Sequence, residues 1–221
     1  MKTSHPVLAR HLTSLCLWLW LVWIVPGVAL AGAYEDFVSA VKQNQPEEAA
    51  ALLRRGMDPN TPDQGGMPAL HLAARDGFLA LVQALAAAGA DLDRKNAAGE
   101  TAMMLAAIQG HKPVVEFLLS KEAQVNHPGW TPLIYAAASG QNDIVKILIE
   151  NHAYIDAISP NGSTSLMMAV RGGHTSTVKL LIDEDADTSA RNELGESALS
   201  WAERAANNTE MIRLLRIKMM P

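Results

Sequence analysis

Gly129-Trp130-Thr131-Pro132-Leu133-Ile134-Tyr135-Ala136-Ala137-Ala138-Ser139-Gly140 is the stretch on which the reading of this chain turns. A threonine able to cap a helix precedes a proline, whose missing N–H costs nothing at a first helical position, and a short alanine-rich run follows. Its opening glycine has counterparts: Gly66, Gly99, Gly129, Gly162 and Gly195 stand at spacings of 33, 30, 33 and 33. Each leads into a similar phrase, namely Pro68-Ala69-Leu70-His71, Thr101-Ala102-Met103-Met104, Thr131-Pro132-Leu133-Ile134, Thr164-Ser165-Leu166-Met167 and Ser197-Ala198-Leu199-Ser200. A second frame, Leu52, Leu85, Leu118, Leu148 and Leu181, runs in step at 33, 33, 30 and 33. Two frames in one period indicate a repeated supersecondary unit.

Each unit reads as two helices. The first is lined with small residues (Ala73-Ala74, Ala106-Ala107, Ala136-Ala137), which lets neighbouring helices approach closely. The second carries a broad apolar stripe, as in Ile144, Val145, Ile147, Leu148 and Ile149, expected of a helix with neighbours on both sides. Turn-rich segments such as Asp91-Leu92-Asp93-Arg94-Lys95-Asn96-Ala97-Ala98-Gly99 join the units. No unit can cover its own apolar face, so the units must stack.

In period and in the openings Thr131-Pro132-Leu133 and Leu70-His71-Leu72-Ala73-Ala74, the chain resembles the ankyrin repeat family. With its N-terminal segment it also resembles small exported bacterial members of that family. The resemblance implies an all-α solenoid of about six helix-turn-helix units with short β-hairpin-like fingers. The expected units are residues 34–62 (an N-terminal cap), 63–95, 96–125, 126–158, 159–191 and 192–221.

Two departures from the pattern stand out. Both frames lose three residues between Leu118 and Gly129, so the finger at 122–129 must be short, either through a neutral deletion or as a purposeful gap. The family ends its second helix on a left-handed glycine, as at Gly56 and Gly89; Glu122, His152 and Asp185 stand there in later units. The C-terminal half is therefore expected to be the less stable.

The first thirty residues have a different character. They hold Lys2 and Arg10, no acid, and an unbroken apolar run over residues 15–25, which is the layout of a secretory signal peptide. Eleven residues rising about 1.5 Å each fall short of a hydrocarbon layer roughly 30 Å thick. Pro26-Gly27 should interrupt the helix, and Ala29-Leu30-Ala31 suits cleavage after Ala31, leaving 190 residues as the folded domain 32–221. Cleavage after Ala33 competes, and an uncleaved N-terminal membrane anchor is the alternative. The expected location is outside the cytoplasm, periplasmic or secreted. The only cysteine, Cys16, lies in the leader, so the mature chain can form no disulfide.

Without the leader, 16 basic residues face 23 acidic ones, a charge of −7 that gives no reason to expect nucleic acid or an anionic membrane surface as partner. His71, His111 and His174 read as structural hydrogen-bonding residues. His127 and His152 have no ligand-spaced companions for zinc, so no metal and no cofactor is expected. Asp183-Glu184-Asp185-Ala186-Asp187 lacks the ligand order of a calcium hand, and Met103-Met104 and Met167-Met168 read as core filler, not a copper(I) site. No nucleophile elbow or phosphate loop occurs, and the chain is not expected to be an enzyme.

The family resemblance implies a concave partner-binding surface on the fingers and first helices. Carried over position by position, it would present Met67, Glu100, Trp130, Ser163 and Glu196 from the fingers. The helices would add Arg75, Asp76, Ile108, Gln109, Ser139, Arg171 and Arg204. Trp130, the one large aromatic among these, is either the centre of the interface or a residue packed on the adjacent finger. The expected activity is that of a monomeric scaffold or adaptor binding another protein. A chaperone-like accessory role for an exported enzyme, or an enzyme with a cryptic site, are the alternatives.

Overall fold

The computed structural model describes residues 26–205 and 208–218, the first six by backbone alone. The apolar run at 15–25, Cys16, Lys2 and Arg10 lie outside them. Two compact units divide at Asp36/Phe37. Of the first, the described part is the beginning of helix α1 (Pro26–Lys42), in which Pro26 and Gly27 are the opening residues. The helix continues through Ala31 and Gly32, so the expected first unit starts inside it. No described helix is long and apolar enough to cross a membrane.

From Phe37 onward the chain is a row of paired helices. α1 is followed by α2 (Pro46–Arg54), then come α3 (Ala69–Arg75) with α4 (Leu79–Ala87), and α5 (Ala102–Gln109) with α6 (Lys112–Ser120). α7 (Pro132–Ala138) with α8 (Asn142–Glu150), α9 (Ser165–Arg171) with α10 (Thr175–Asp183), and α11 (Ala198–Arg204) with α12 (Thr209–Lys218) complete it. From α3 on, first helices pack on first helices and, from α2 on, second on second, giving two layers around one continuous core. The alanines explain the close first layer: Ala73, Ala74, Ala106, Ala107, Ala136 and Ala137 are all fully buried. The leucine frame is the spine of the core, with Leu85, Leu118, Leu148 and Leu181 at 0% exposure. Each such leucine, fully buried, contributes on the order of 1.5–3 kcal/mol. Met103, Met104, Met167 and Met168 are buried filler, as expected.

Local sequence explains where each pair begins. Thr101, Thr131, Thr164 and Ser197 cap their helices by accepting the N–H of the residue three positions on, and Pro132 occupies the first turn. α3 differs, because Pro68 stands at its N-cap and offers no side-chain oxygen.

The described residues with positive φ fall into three series of five at the repeat spacing. Asn44, Gly77, Gly110, Gly140 and Gly173 turn the chain between the two helices of a unit. Gly56, Gly89, Glu122, His152 and Asp185 terminate the second helix. Gly66, Gly99, Gly129, Gly162 and Gly195 turn the fingers. In the second series each residue lets the next amide return to the frame leucine, as Ala123 N–H does to the Leu118 carbonyl at 3.1 Å and Ala153 N–H to Leu148 at 2.9 Å. Glu122, His152 and Asp185 thus adopt the left-handed geometry at φ 61°, 65° and 63° despite their side chains.

Histidines join consecutive units. His111 Nε2 donates to the Arg75 carbonyl at 2.8 Å and His174 Nε2 to the Ala138 carbonyl at 3.1 Å. Their rings lie where a Cβ on Gly77 or Gly140 would stand, 2.5 and 2.6 Å from the nearest ring atom, so those turns must be glycine. Between them the Gln141 side chain occupies the corresponding space, its amide oxygen 2.8 Å from a Cβ on Gly110. His71 Nε2 donates to the Glu100 carbonyl at 3.0 Å, tying a first helix to the next finger. The structural reading of these three histidines holds.

Candidate protein-binding surface

A shared local device shapes the fingers. An Asp or Asn three residues before the turning glycine folds the tip by accepting two backbone N–H groups. Asp63 Oδ1 takes those of Gly65 and Met67, Asn96 Oδ1 those of Ala98 and Glu100, and Asn192 Oδ1 those of Leu194 and Glu196. Each tip then closes with a backbone bond, such as Asn96 N–H to Glu100 carbonyl at 2.9 Å. Fingers one and four also form isolated antiparallel bridges, Pro62 with Pro68 and Ile158 with Thr164.

A second acceptor, three residues earlier, bonds the following unit. Asn60 Oδ1 accepts Asp91 N–H, Asp93 Oδ1 accepts Gln124 N–H, and Asp156 Oδ1 accepts Asp187 N–H, at 2.8–2.9 Å. The three-residue loss makes both positions coincide at Asn126. Its side chain takes the inter-unit role, with Oδ1 accepting Tyr154 N–H at 2.8 Å and Nδ2 donating to the His152 carbonyl at 2.9 Å. The third finger is left without its own acceptor, and among the described residues it has no closing backbone bond. The short finger expected at 122–129 is therefore also an open one.

The candidate residues separate into three groups. Glu100 and Trp130 join an ordered set around Tyr135, whose hydroxyl donates to Glu100 Oε1 at 2.9 Å. Asn96 Nδ2 holds the other carboxylate oxygen at 2.8 Å and lies 3.7 Å from Met67 Sδ. The Trp130 ring meets Tyr135 edge-on, 5.5 Å between centroids at 67°. Trp130 is consequently half-buried and aromatic-packed, not a free-standing anchor. Burial and the Glu100 bond push the Tyr135 phenol well above its ordinary range, so it stays a donor.

Glu196, Arg171 and Arg204 gather around Trp201 in an open hollow of 360 Å³ lined also by Val170 and Ala205. Trp201 Nε1 donates to Glu196 Oε2 at 2.6 Å, and Arg204 pairs with Glu196 Oε1 at 2.7 Å. These bonds, the Trp201 one foremost, hold the Glu196 carboxyl below the usual range.

The third group stands apart. Arg75 is engaged by its neighbour Asp76 through two bonds of 2.8 and 3.1 Å. Asp76 and Gln109 are exposed, and Ile108 and Ser139 are half-buried. Ser163 corrects the sequence reading, since it is fully buried. Serine at 159, in place of Asp or Asn, folds the fourth finger through its hydroxyl, which accepts Ser163 N–H at 3.1 Å and donates to the Ser163 carbonyl at 3.0 Å. The short side chain of Ser163 is enclosed and its Oγ has no partner.

Tyr135 and Trp201 escaped the sequence reading. Both occupy the first-helix position held by Leu72, Leu105 and Met168 in other units. The available signal was chemical: at this position only Tyr and Trp can donate a hydrogen bond. His152 is exposed, whereas His127 Nε2 is buried without a partner, and burial first, then the Lys95 charge, lowers its basicity. Among the described residues no group of three or more His, Cys, Asp or Glu side chains could hold a metal ion.

Comparison with known proteins places this geometry. The family described as ankyrin repeats (three copies) matches residues 70–159 and 151–219. NF-kappa-B inhibitor alpha of Sus scrofa is 42% identical over 93 residues, 39% of this chain and 30% of that protein. Ankyrin repeat and SAM domain-containing protein 6 of Mus musculus is 36% identical over 109 residues, 47% of this chain and 12% of that protein. This chain thus spans less than a third of either relative, and both are animal proteins rather than exported bacterial ones. Among solved structures, the ankyrin repeat domain of Bcl-3, a member of the IkappaB protein family, superposes with a TM-score of 0.70 at 28% identity. The match covers 80% of this chain and 79% of that one.

Proposed function

The chain belongs to the ankyrin repeat family, and on that premise we propose that it is a monomeric, non-enzymatic scaffold holding one partner protein along its fingers and first helices outside the cytoplasm. Domains of this family mediate protein–protein interaction, and the relatives named above are of that kind. The observation that carries the reading is the prearranged set of Glu100, Trp130 and Tyr135 beside the open third finger. An aromatic pair fixed by a carboxylate presents rigid amphipathic area at little cost in side-chain entropy, which is the usual make-up of an interface centre. Placement outside the cytoplasm rests on the leader-like residues 1–31. It is tested by fractionation and by the mature N-terminus, expected at Gly32.

Binding is tested with Trp130→Ala. Immobilised wild-type protein should retain a partner from its own cells that the variant loses, while the variant's unfolding midpoint stays within a few degrees of wild type. Loss of fold and binding together would mean that Trp130 only packs.

A further inference from the structure

Arg75, Arg171 and Arg204 occupy one register at the ends of α3, α9 and α11. Their charges meet different fates. Arg75 is neutralised by Asp76 and Arg204 by Glu196. The exposed Arg171 side chain has no hydrogen bond or ion pair. The residue in the place of Asp76 is Gly172, and no side chain fits there, because a Cβ would stand 2.5 Å from the His174 ring and 2.7 Å from the Ala138 carbonyl oxygen. The inter-unit histidine therefore denies Arg171 the local carboxylate that Arg75 has.

Glu196 cannot serve instead. One of its oxygens holds the Trp201 indole and the other Arg204, so the hollow's own acid is committed. What remains is one uncompensated guanidinium in the same hollow as a fixed indole, on a protein whose formal charge is −5. A cation with no carboxylate of its own, on a protein with a net negative charge, favours a partner group of the opposite sign at that spot, which sets register as well as attraction. Val170, Ala205 and the indole supply apolar surface suited to the methylenes of a long acidic side chain.

We propose that the hollow between α9 and α11 receives a glutamate or aspartate side chain from an extended acidic segment of the partner protein, with Arg171 as its ion-pair partner and Trp201 as its floor. This rests on the scaffold reading and deepens it by naming the partner's chemistry. The planar guanidinium can take the carboxylate through two parallel N–H bonds.

The test uses the full chain and a fluorescein-labelled peptide, Gly-Ser-Glu-Glu-Leu-Glu-Glu-Ser-Gly, against its counterpart with glutamine at each glutamate. The expected result is saturable, salt-sensitive anisotropy for the glutamate peptide and about a tenfold loss on Arg171→Ala. Arg75→Ala, a control of the same charge change, should leave the affinity within about twofold. Arg171→Glu should abolish binding at unchanged circular dichroism. Equal binding of the two peptides, no response to Arg171→Ala, no binding of the glutamate peptide at 1 mM (about the weakest affinity worth the name), or preferential binding of an oligothymidylate would each overturn the proposal. The two readings fail separately. Retention of the cellular partner by Arg171→Glu but not by Trp130→Ala removes this inference and leaves the scaffold standing.

Discussion

Replacing Glu122 and His152 together by glycine is expected to stabilise the stack. Both residues sit where Gly56 and Gly89 end earlier second helices, at φ 61° and 65°. An L side chain held in this region costs roughly 1–2 kcal/mol, and glycine's extra freedom in the unfolded chain offsets about 0.5–1 kcal/mol of the relief. Neither side chain forms a hydrogen bond or ion pair, so nothing else is lost. The net gain is about 0.5–1 kcal/mol per site, or about 1–2 kcal/mol for the pair. At this chain length that corresponds to a rise in Tm of about 2–8 °C. The reciprocal change, Gly89→Ala, should cost about 1 kcal/mol through backbone strain alone, because a Cβ at Gly89 meets no atom within 4 Å. Thermal and urea unfolding followed at 222 nm measure the total. Hydrogen exchange assigns it, since protection should rise in α6 and α8 first. A double variant no more stable than wild type, or a neutral Gly89→Ala, would refute the argument.

Gly77→Ala should cost more than Gly89→Ala, about 2–3 kcal/mol, since strain is joined by displacement of the His111 ring and loss of its bond to the Arg75 carbonyl; paired urea titrations give the difference. Asn126→Ala should cost about 1 kcal/mol and deprotect the Tyr154 amide in hydrogen exchange, whereas Asn126→Asp should keep that amide protected. Stability should fall between pH 7 and pH 5. His71 and His127 are held below the usual histidine range mainly by burial, so the unfolded chain takes up protons first and the native state loses ground as pH passes below about 6.5. His71→Gln should flatten that slope in urea midpoints measured across the range.

The repeat frame was readable because burial and turning obey separate chemistries that share one period. Leucines mark the core and glycines mark the fingers, and their agreement located both the helix pairs and the three-residue loss. Side-chain commitments were harder to read, because they depend on what a neighbouring unit offers. Nothing in the identity of Ser163 reveals that Ser159, standing in for Asp or Asn, folds the finger over it. The sequence leaves Trp130 open between interface centre and packing on the adjacent finger, and hides its actual partner, because Tyr135 lies five residues on at a position otherwise apolar. Pro68 opens its phrase in the place of Thr131 and stands at the N-cap as that alignment implies, but without an oxygen to cap the helix. Asn44 carries the inter-helix turn at φ 54° with no glycine to announce it.

Asn126 bears on which lengths this scaffold can tolerate. In the neighbouring units the amide-binding posts at 60 and 63, 93 and 96, and 156 and 159 lie one three-residue step apart. Excision of that whole step leaves a single asparagine able to inherit the post that faces the next unit, and the stack stays in register. Excision of one or two residues would leave the Tyr154 amide hydrogen opposite a side chain of the wrong reach. Length variation in such connections should therefore come in threes, set by the spacing of two side-chain anchors and not by the slack of the loop.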